Sequence, residues 1–254
     1  MRSFAVAAVA MCLSGCSLID SSGIHIDYQF DPHDFVIDLG NNGMSSVPSV
    51  PCQQTQDNCS QAPAPMVKNA STTLQCDSSS TCAARLELRK ALPIDLRNAM
   101  TPLPSEAVTI GINLVDLRKI DYWVVPPSGA GAQELNVSTP PIDLYVAPMA
   151  AADEHDPQAT LLGTVGTLPA GSTACSDPAD PQPPADPKSK GFVVCEVPLA
   201  GPGKDALGGF VKNFRNAPFQ IIAHTVITVA GGTPLPSGSL DFFVQPTVAL
   251  SIIK

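Results

Sequence analysis

Apolar and polar residues alternate along much of this 254-residue chain, and a period of two is the spacing at which successive side chains fall on opposite faces of a β-strand. The first run sets Ile24, Ile26, Tyr28 and Phe30 against His25, Asp27 and Gln29. Residues 35–39 follow across the turn-rich Asp31-Pro32-His33-Asp34, a spacing that predicts a hairpin. Further runs place Leu86 with Leu88, Ile94 with Leu96, Val108 and Ile110 with Ile112 and Leu114, and Ile120 and Tyr122 with Val124. Residues 135–137, 142–146, 161–168 and 192–197 complete the series, mostly separated by Pro-Pro, Gly or Asp-Pro. Many short strands at such intervals predict a mainly β fold, an antiparallel β-sandwich of Ig-like or related type. Residues 219–229 and 240–253 are the longest and most apolar runs and are assigned to central strands, with Pro246 marking a bulge or bend. One segment departs from the period: Leu207, Phe210, Val211 and Phe214 recur at helical spacing behind Asp205 as N-cap. This predicts a short helix near 205–215 whose apolar stripe covers an open end of the sandwich.

With 44% hydrophobic residues the chain is long enough to bury a substantial core, and its 26 prolines and 18 glycines fit many turns. Residues 40–64 are rich in Asn, Ser, Pro and Gln and form the single candidate boundary, a stapled loop or linker. The resulting plan is one sandwich-like domain over 24–254 with a cysteine-containing insertion at about 40–82. The net charge of -9, from 14 basic and 23 acidic residues, excludes a phosphate-binding surface and hence a nucleic-acid partner.

Residues 1–15 hold one basic residue, Arg2, no acidic residue, and an apolar run from 4 to 13 that is too short to span a bilayer and suits a secretory leader. The run ends in Leu13-Ser14-Gly15-Cys16, which resembles the lipobox of bacterial lipoproteins. The resemblance covers sixteen residues. It implies cleavage before Cys16, a diacylglycerol on that thiol and a further acyl chain, such as palmitate, on the new amino group, which together give a firm anchor. Ser17, in place of Asp, implies passage to the outer membrane, with the body facing the periplasm or the cell surface. Residues 16–23 would be a short tether.

Beyond the leader the chain keeps Cys52, Cys59, Cys76, Cys82, Cys175 and Cys195, an even number that in an exported chain predicts disulfides. Six cysteines allow 15 connectivities. Because local closure is entropically easiest, the expected pairs are the neighbours Cys52 with Cys59, Cys76 with Cys82, and Cys175 with Cys195. Zinc binding is the competing chemistry, but no pair has Cys-x-x-Cys spacing.

Local signatures of nucleophilic, metal-dependent or nucleotide chemistry are missing: there is no Gly-x-Ser-x-Gly, His-Glu-x-x-His, Gly-x-Gly-x-x-Gly or phosphate-cradling Gly-Lys-Ser/Thr. No cofactor is expected. Of the four histidines, His224 lies in an apolar strand and reads as a structural, hydrogen-bonded residue, while His25, His33 and His155 read as surface or turn residues. Two acidic groups offer oxygen ligands for calcium, Asp27, Asp31, Asp34 and Asp38 near one end, and Asp153, Glu154 and Asp156 before Thr160; neither has EF-hand spacing. Trp123 beside Tyr122 is the candidate binding pair, since alternation sends one of the two outwards, where an aromatic face can stack on a sugar or anchor an interface. The reading that fits best is a membrane-anchored envelope lipoprotein acting as a non-enzymatic structural, assembly or binding component, with an envelope protein or glycan as partner. The alternatives are a surface adhesin or carbohydrate-binding module, and an envelope hydrolase with a dispersed triad.

Overall fold

The computed structural model describes residues 24–30, 32–42, 45–53, 58–94, 112–125, 127, 133–170, 194–212 and 218–252. The lipobox-like Leu13-Ser14-Gly15-Cys16, Asp31, Cys175, Phe214 and the runs at 95–111 lie outside them. Two five-stranded antiparallel sheets form the sandwich. The first contains β1 (Ile24–Gln29), β2 (His33–Asp38), β5 (Ile112–Val125), β8 (Cys195–Glu196) and β10 (Ser239–Ile252). The second runs in the order β3 (Ala70–Cys76), β4 (Cys82–Ile94), β9 (Phe219–Val229), β6 (Ile142–Pro148) and β7 (Thr160–Val165). The chain changes sheet after β2, β4, β5, β7, α1 (Gly201–Lys212) and β9, so each sheet is tied to the other by several connections. The two longest apolar runs, β9 and β10, are central strands, as their composition predicts.

β1 and β2 do not form the expected hairpin. Both pair with β10, β2 along its first half and β1 along its second, so the chain runs on past β10 in one direction. The interruption at Pro32 is a break in one long edge rather than a reversal; Phe30 N donates to Pro246 O across it. Next to Pro246 the pairing of β10 with β5 shifts between Thr247 and Val248, and Arg118 is left without a register partner. The bulge keeps Leu117 and Ile120, three positions apart, both fully buried on the inner face.

That face meets Leu86 and Leu88 of β4, Ile221 and Ile227 of β9, and Ile142, Leu144 and Val146 of β6 in one continuous core, with Tyr122, Val124, Phe242 and Val244 opposite. α1 packs against β5 of one sheet and β6 and β7 of the other, closing one end of the sandwich. Its stripe is as expected in Leu207 and Val211, both buried, and in Phe210, which stacks on Phe219 at 5.5 Å. Its start is not. The helix begins at Gly201, four residues before the expected cap, with Pro202 in its first turn and Ala200 O accepting from Lys204 N. At Gly203 an added Cβ would lie 2.3 Å from Leu161 O, so only glycine lets helix and strand approach this closely.

The cysteines near 52–82 pair crosswise, Cys52 with Cys76 and Cys59 with Cys82, not with their sequence neighbours. The reason is β3, which the polar run Ala70-Ser-Thr-Thr-Leu-Gln-Cys did not suggest: β3 and β4 form a hairpin that sets Cys76 beside Cys82 as register partners. Those two side chains share that hairpin end, and each reaches a different earlier cysteine, Cys76 to Cys52 and Cys82 to Cys59. Cys195 is also disulfide-bonded.

Candidate functional site

The inner face of the sandwich opens into a cavity of about 240 Å³ between β2 and β10 of one sheet and β4, β6 and β9 of the other. Its cause lies in the sequence of β9. The inward positions read Ile221, Ala223, Thr225, Ile227, and the two small residues in the middle leave space where the flanking isoleucines fill it. Phe35 and Phe242, stacked with ring centres 5.2 Å apart, form one wall, and Leu88 and Ile142 the other. At the mouth, Asp38 accepts from Lys68 Nζ at 2.5 Å and from Gly40 N at 2.8 Å, and Asn69 Nδ2 donates to Asp38 O. The Lys68 contact, more than the opposing effect of burial, holds the Asp38 carboxyl below its ordinary range. Asn69 takes a left-handed φ of 58° to make this turn. The latch joins the end of β2 to the start of β3 and so ties the two sheets together beside the cavity. Lys90, opposite Ala223 in the β4–β9 register, also lines it and is exposed.

On the outer face of the same strands lies a second group. Arg89 is the register partner of His224, and His224 that of Asp143. The guanidinium of Arg89 donates through Nε to Glu154 Oε2 at 2.6 Å and through Nη2 to Glu154 Oε1 at 2.8 Å and Glu87 Oε1 at 2.9 Å. Burial alone would raise the Glu154 carboxyl, which is 4% exposed, but the Arg89 hydrogen bonds and the nearby charges of His224 and Arg89 outweigh it and hold the group at about 2. Arg89 is raised in turn, chiefly by its bonds to Glu154. His224 Nε2 is buried, 3.3 Å from Glu87 Oε1 and 3.5 Å from Glu154 Oε1.

Glu154 comes from the 149–159 loop, which folds over the outer face so that Ala147, Ala151 and Ile222 make a small second core. Gln220 Nε2 holds the same loop by donating to Ala151 O at 2.7 Å. The cluster is therefore a clamp on the loop. Glu87, Glu154 and His224 place ligand atoms close enough for a metal ion, as do Asp153, Glu154 and His155. The oxygens of Glu87 and Glu154 already accept from Arg89, however, and Asp153 and Asp156 cap turns by accepting from His155 N and Gln158 N. The sequence pointed to the acidic loop as a cation site; folding satisfies it with arginine and backbone donors.

The other expected residues are dispersed. Asp27, Asp34 and Asp38 stand opposite Ala249, Phe243 and Ser239, strung along β10 rather than converging, and Asp38 is held by Lys68. Tyr122 and Trp123 are both buried, at 1% and 6% exposure. Trp123 does face away from the main core, as alternation requires, but it stacks on Phe243 at 5.6 Å with planes 9° apart, so it offers no open face for a sugar. Cys52, Cys59, Cys76 and Cys82 are spent in disulfides and are not metal ligands. Alternation alone does not reveal the cavity; the signal it left was the pair of small residues, Ala223 and Thr225, inside the most apolar strand. No known protein family and no curated protein matches the chain.

Proposed function

We propose that this chain is an outer-membrane lipoprotein, anchored through acylated Cys16, whose disulfide-braced sandwich is a non-enzymatic structural, assembly or binding component of the cell envelope. The observation that carries the proposal is the lipobox-like Leu13-Ser14-Gly15-Cys16 ahead of a body whose described cysteines are oxidised. Disulfides persist in oxidising compartments, so Cys52–Cys76 and Cys59–Cys82 support an exported protein independently of the leader. Only residues 17–23 separate Cys16 from β1, which favours a partner at or near the membrane surface.

Metabolic labelling with palmitate tests the anchor: the wild-type chain incorporates label and sediments with membranes, while Cys16→Ser incorporates none and is not released by signal peptidase II. Label retained in Cys16→Ser would overturn the assignment. In-cell cross-linking followed by isolation under non-reducing conditions tests the role. A recurrent stoichiometric protein partner supports assembly, and its absence moves the reading to a glycan or small-molecule binding component.

A further inference from the structure

The geometry points to the inter-sheet cavity as a binding site for a small amphiphilic carboxylate, an acyl or aryl acid whose apolar part lies on Phe35, Phe242 and Ala223 and whose carboxylate meets Lys90. The site does not depend on where the chain is anchored. Three charged side chains line the cavity. Arg89 sends its guanidinium to Glu87 and Glu154 on the outer face, and Asp38 is neutralised by Lys68. Lys90 has no carboxylate partner among the described residues, which leaves one ammonium uncompensated among them at a cleft with an aromatic wall. The Thr225 hydroxyl donates to Pro141 O, so it offers no competing donor. The Phe35–Phe242 wall beside a cation unpaired among the described residues selects a monoanion with an apolar tail, because a second ligand charge would find no partner among them and would be desolvated at a cost.

Size narrows the class. At about 240 Å³ the cavity is smaller than the pockets that enclose drug-sized ligands, and it holds one short chain or one ring, not a diacyl lipid. Lys90 is exposed while Leu88, two residues before it on the same face, is 5% exposed. The ligand would therefore enter tail first, its head held at the rim by the wet ammonium of Lys90.

The test is titration of residues 17–254, exported behind a cleavable non-lipoprotein leader so that neither the apolar leader nor an acyl group remains, with octanoate and with the uncharged 1-octanol, followed by amide NMR. The expected result is saturable octanoate binding tighter than about 1 mM, with shifts at 35–38, 88–90 and 223–225. Shortening the chain to hexanoate weakens it about fourfold per methylene. Lys90→Met, an exposed change that leaves the core alone, weakens octanoate about tenfold and leaves 1-octanol unchanged. Ala223→Leu fills the cavity and loses both. Absent saturable octanoate binding, shifts confined to other residues, or equal octanoate affinity in Lys90→Met would each overturn the proposal. Because Lys90→Met sits at the rim, it decides the matter even where Ala223→Leu disturbs folding.

Discussion

Arg89 and His224 face each other across β4 and β9 on the outer side of the second sheet, and the adjoining residues Lys90 and Ala223 face each other on the inner side. One step of the pleat thus separates a cation with three carboxylate contacts from a cation with none among the described residues. On the outer side, Arg89 anchors a loop whose own apolar residues cover Ile222; on the inner side, the methyl group of Ala223 leaves open the space beside Lys90. The same two strands therefore carry a rigid clamp and an accessible cleft, back to back.

Replacing Arg89 by Leu strands the Glu154 carboxylate, 4% exposed, next to Glu87. Stranding a buried carboxylate without its donors costs about 1–3 kcal/mol. Urea unfolding of Arg89→Leu should show that loss, and Arg89→Leu with Glu154→Gln should recover most of it, since the stranded charge is gone. Equal stability of the single and double variants would show that the clamp contributes by packing alone.

The same carboxylate sets a pH dependence. Glu154 titrates at about 2 when folded, against 4.5 ordinarily, so in that interval the unfolded chain binds more protons than the folded one. Its contribution is fully present above about 4.5 and is lost as pH falls towards 2. Asp38, also depressed, acts with the same sign. Thermal unfolding followed from neutral pH downwards should therefore show the wild type losing its advantage over Glu154→Gln within that window, the two curves converging at the acid end. Parallel curves would remove Glu154 from the account.

What the sequence disclosed and what it hid divide along one physical line. Length and continuous apolar character locate β9 and β10 almost to the residue, because a central strand packed on both faces must be apolar along its run. β3 escaped, since an edge strand with Ser71, Thr73 and Gln75 outward and only Leu74 buried carries little apolar signal. β4 and β5 read in the sequence as shorter pieces because the exposed stretch at 89–91 and the bulge at Arg118 interrupt the period without interrupting the pairing. The binding pair Tyr122 and Trp123 was read from exposure that alternation cannot guarantee. The cavity and the Arg89 clamp depend on register between β4 and β9, residues more than 130 positions apart, which no local pattern reports.

The crossed disulfides make a prediction of connectivity and one of stability. Non-reducing digestion should yield fragments joining Cys52 to Cys76 and Cys59 to Cys82, and no fragment joining Cys76 to Cys82. The bridges close loops with sequence separations of 24 and 23, so removing either as a double Ala variant should cost about 3 kcal/mol by loop-closure entropy. The 50–52 stretch is also held to the hairpin by backbone hydrogen bonds, Cys52 N to Ser80 O and Cys82 N to Val50 O, so removal of one bridge should leave the β3–β4 pairing intact by amide exchange.

Two glycines of α1 should respond oppositely to the same substitution. A Cβ at Gly203 would meet Leu161 O at 2.3 Å and Leu162 Cα at 2.5 Å, both backbone atoms that cannot swing aside. Gly203→Ala must push the helix off β7 and should destabilise by about 1–3 kcal/mol. A Cβ at Gly209 meets nothing within 4 Å, so Gly209→Ala gains helix propensity without a clash and should stabilise by about 0.5–1 kcal/mol. Chemical denaturation of the two variants beside the wild type reads the signs directly. A stabilising Gly203→Ala would mean that α1 does not dock on β7 at this distance, and the closure of that end of the sandwich would have to be redrawn.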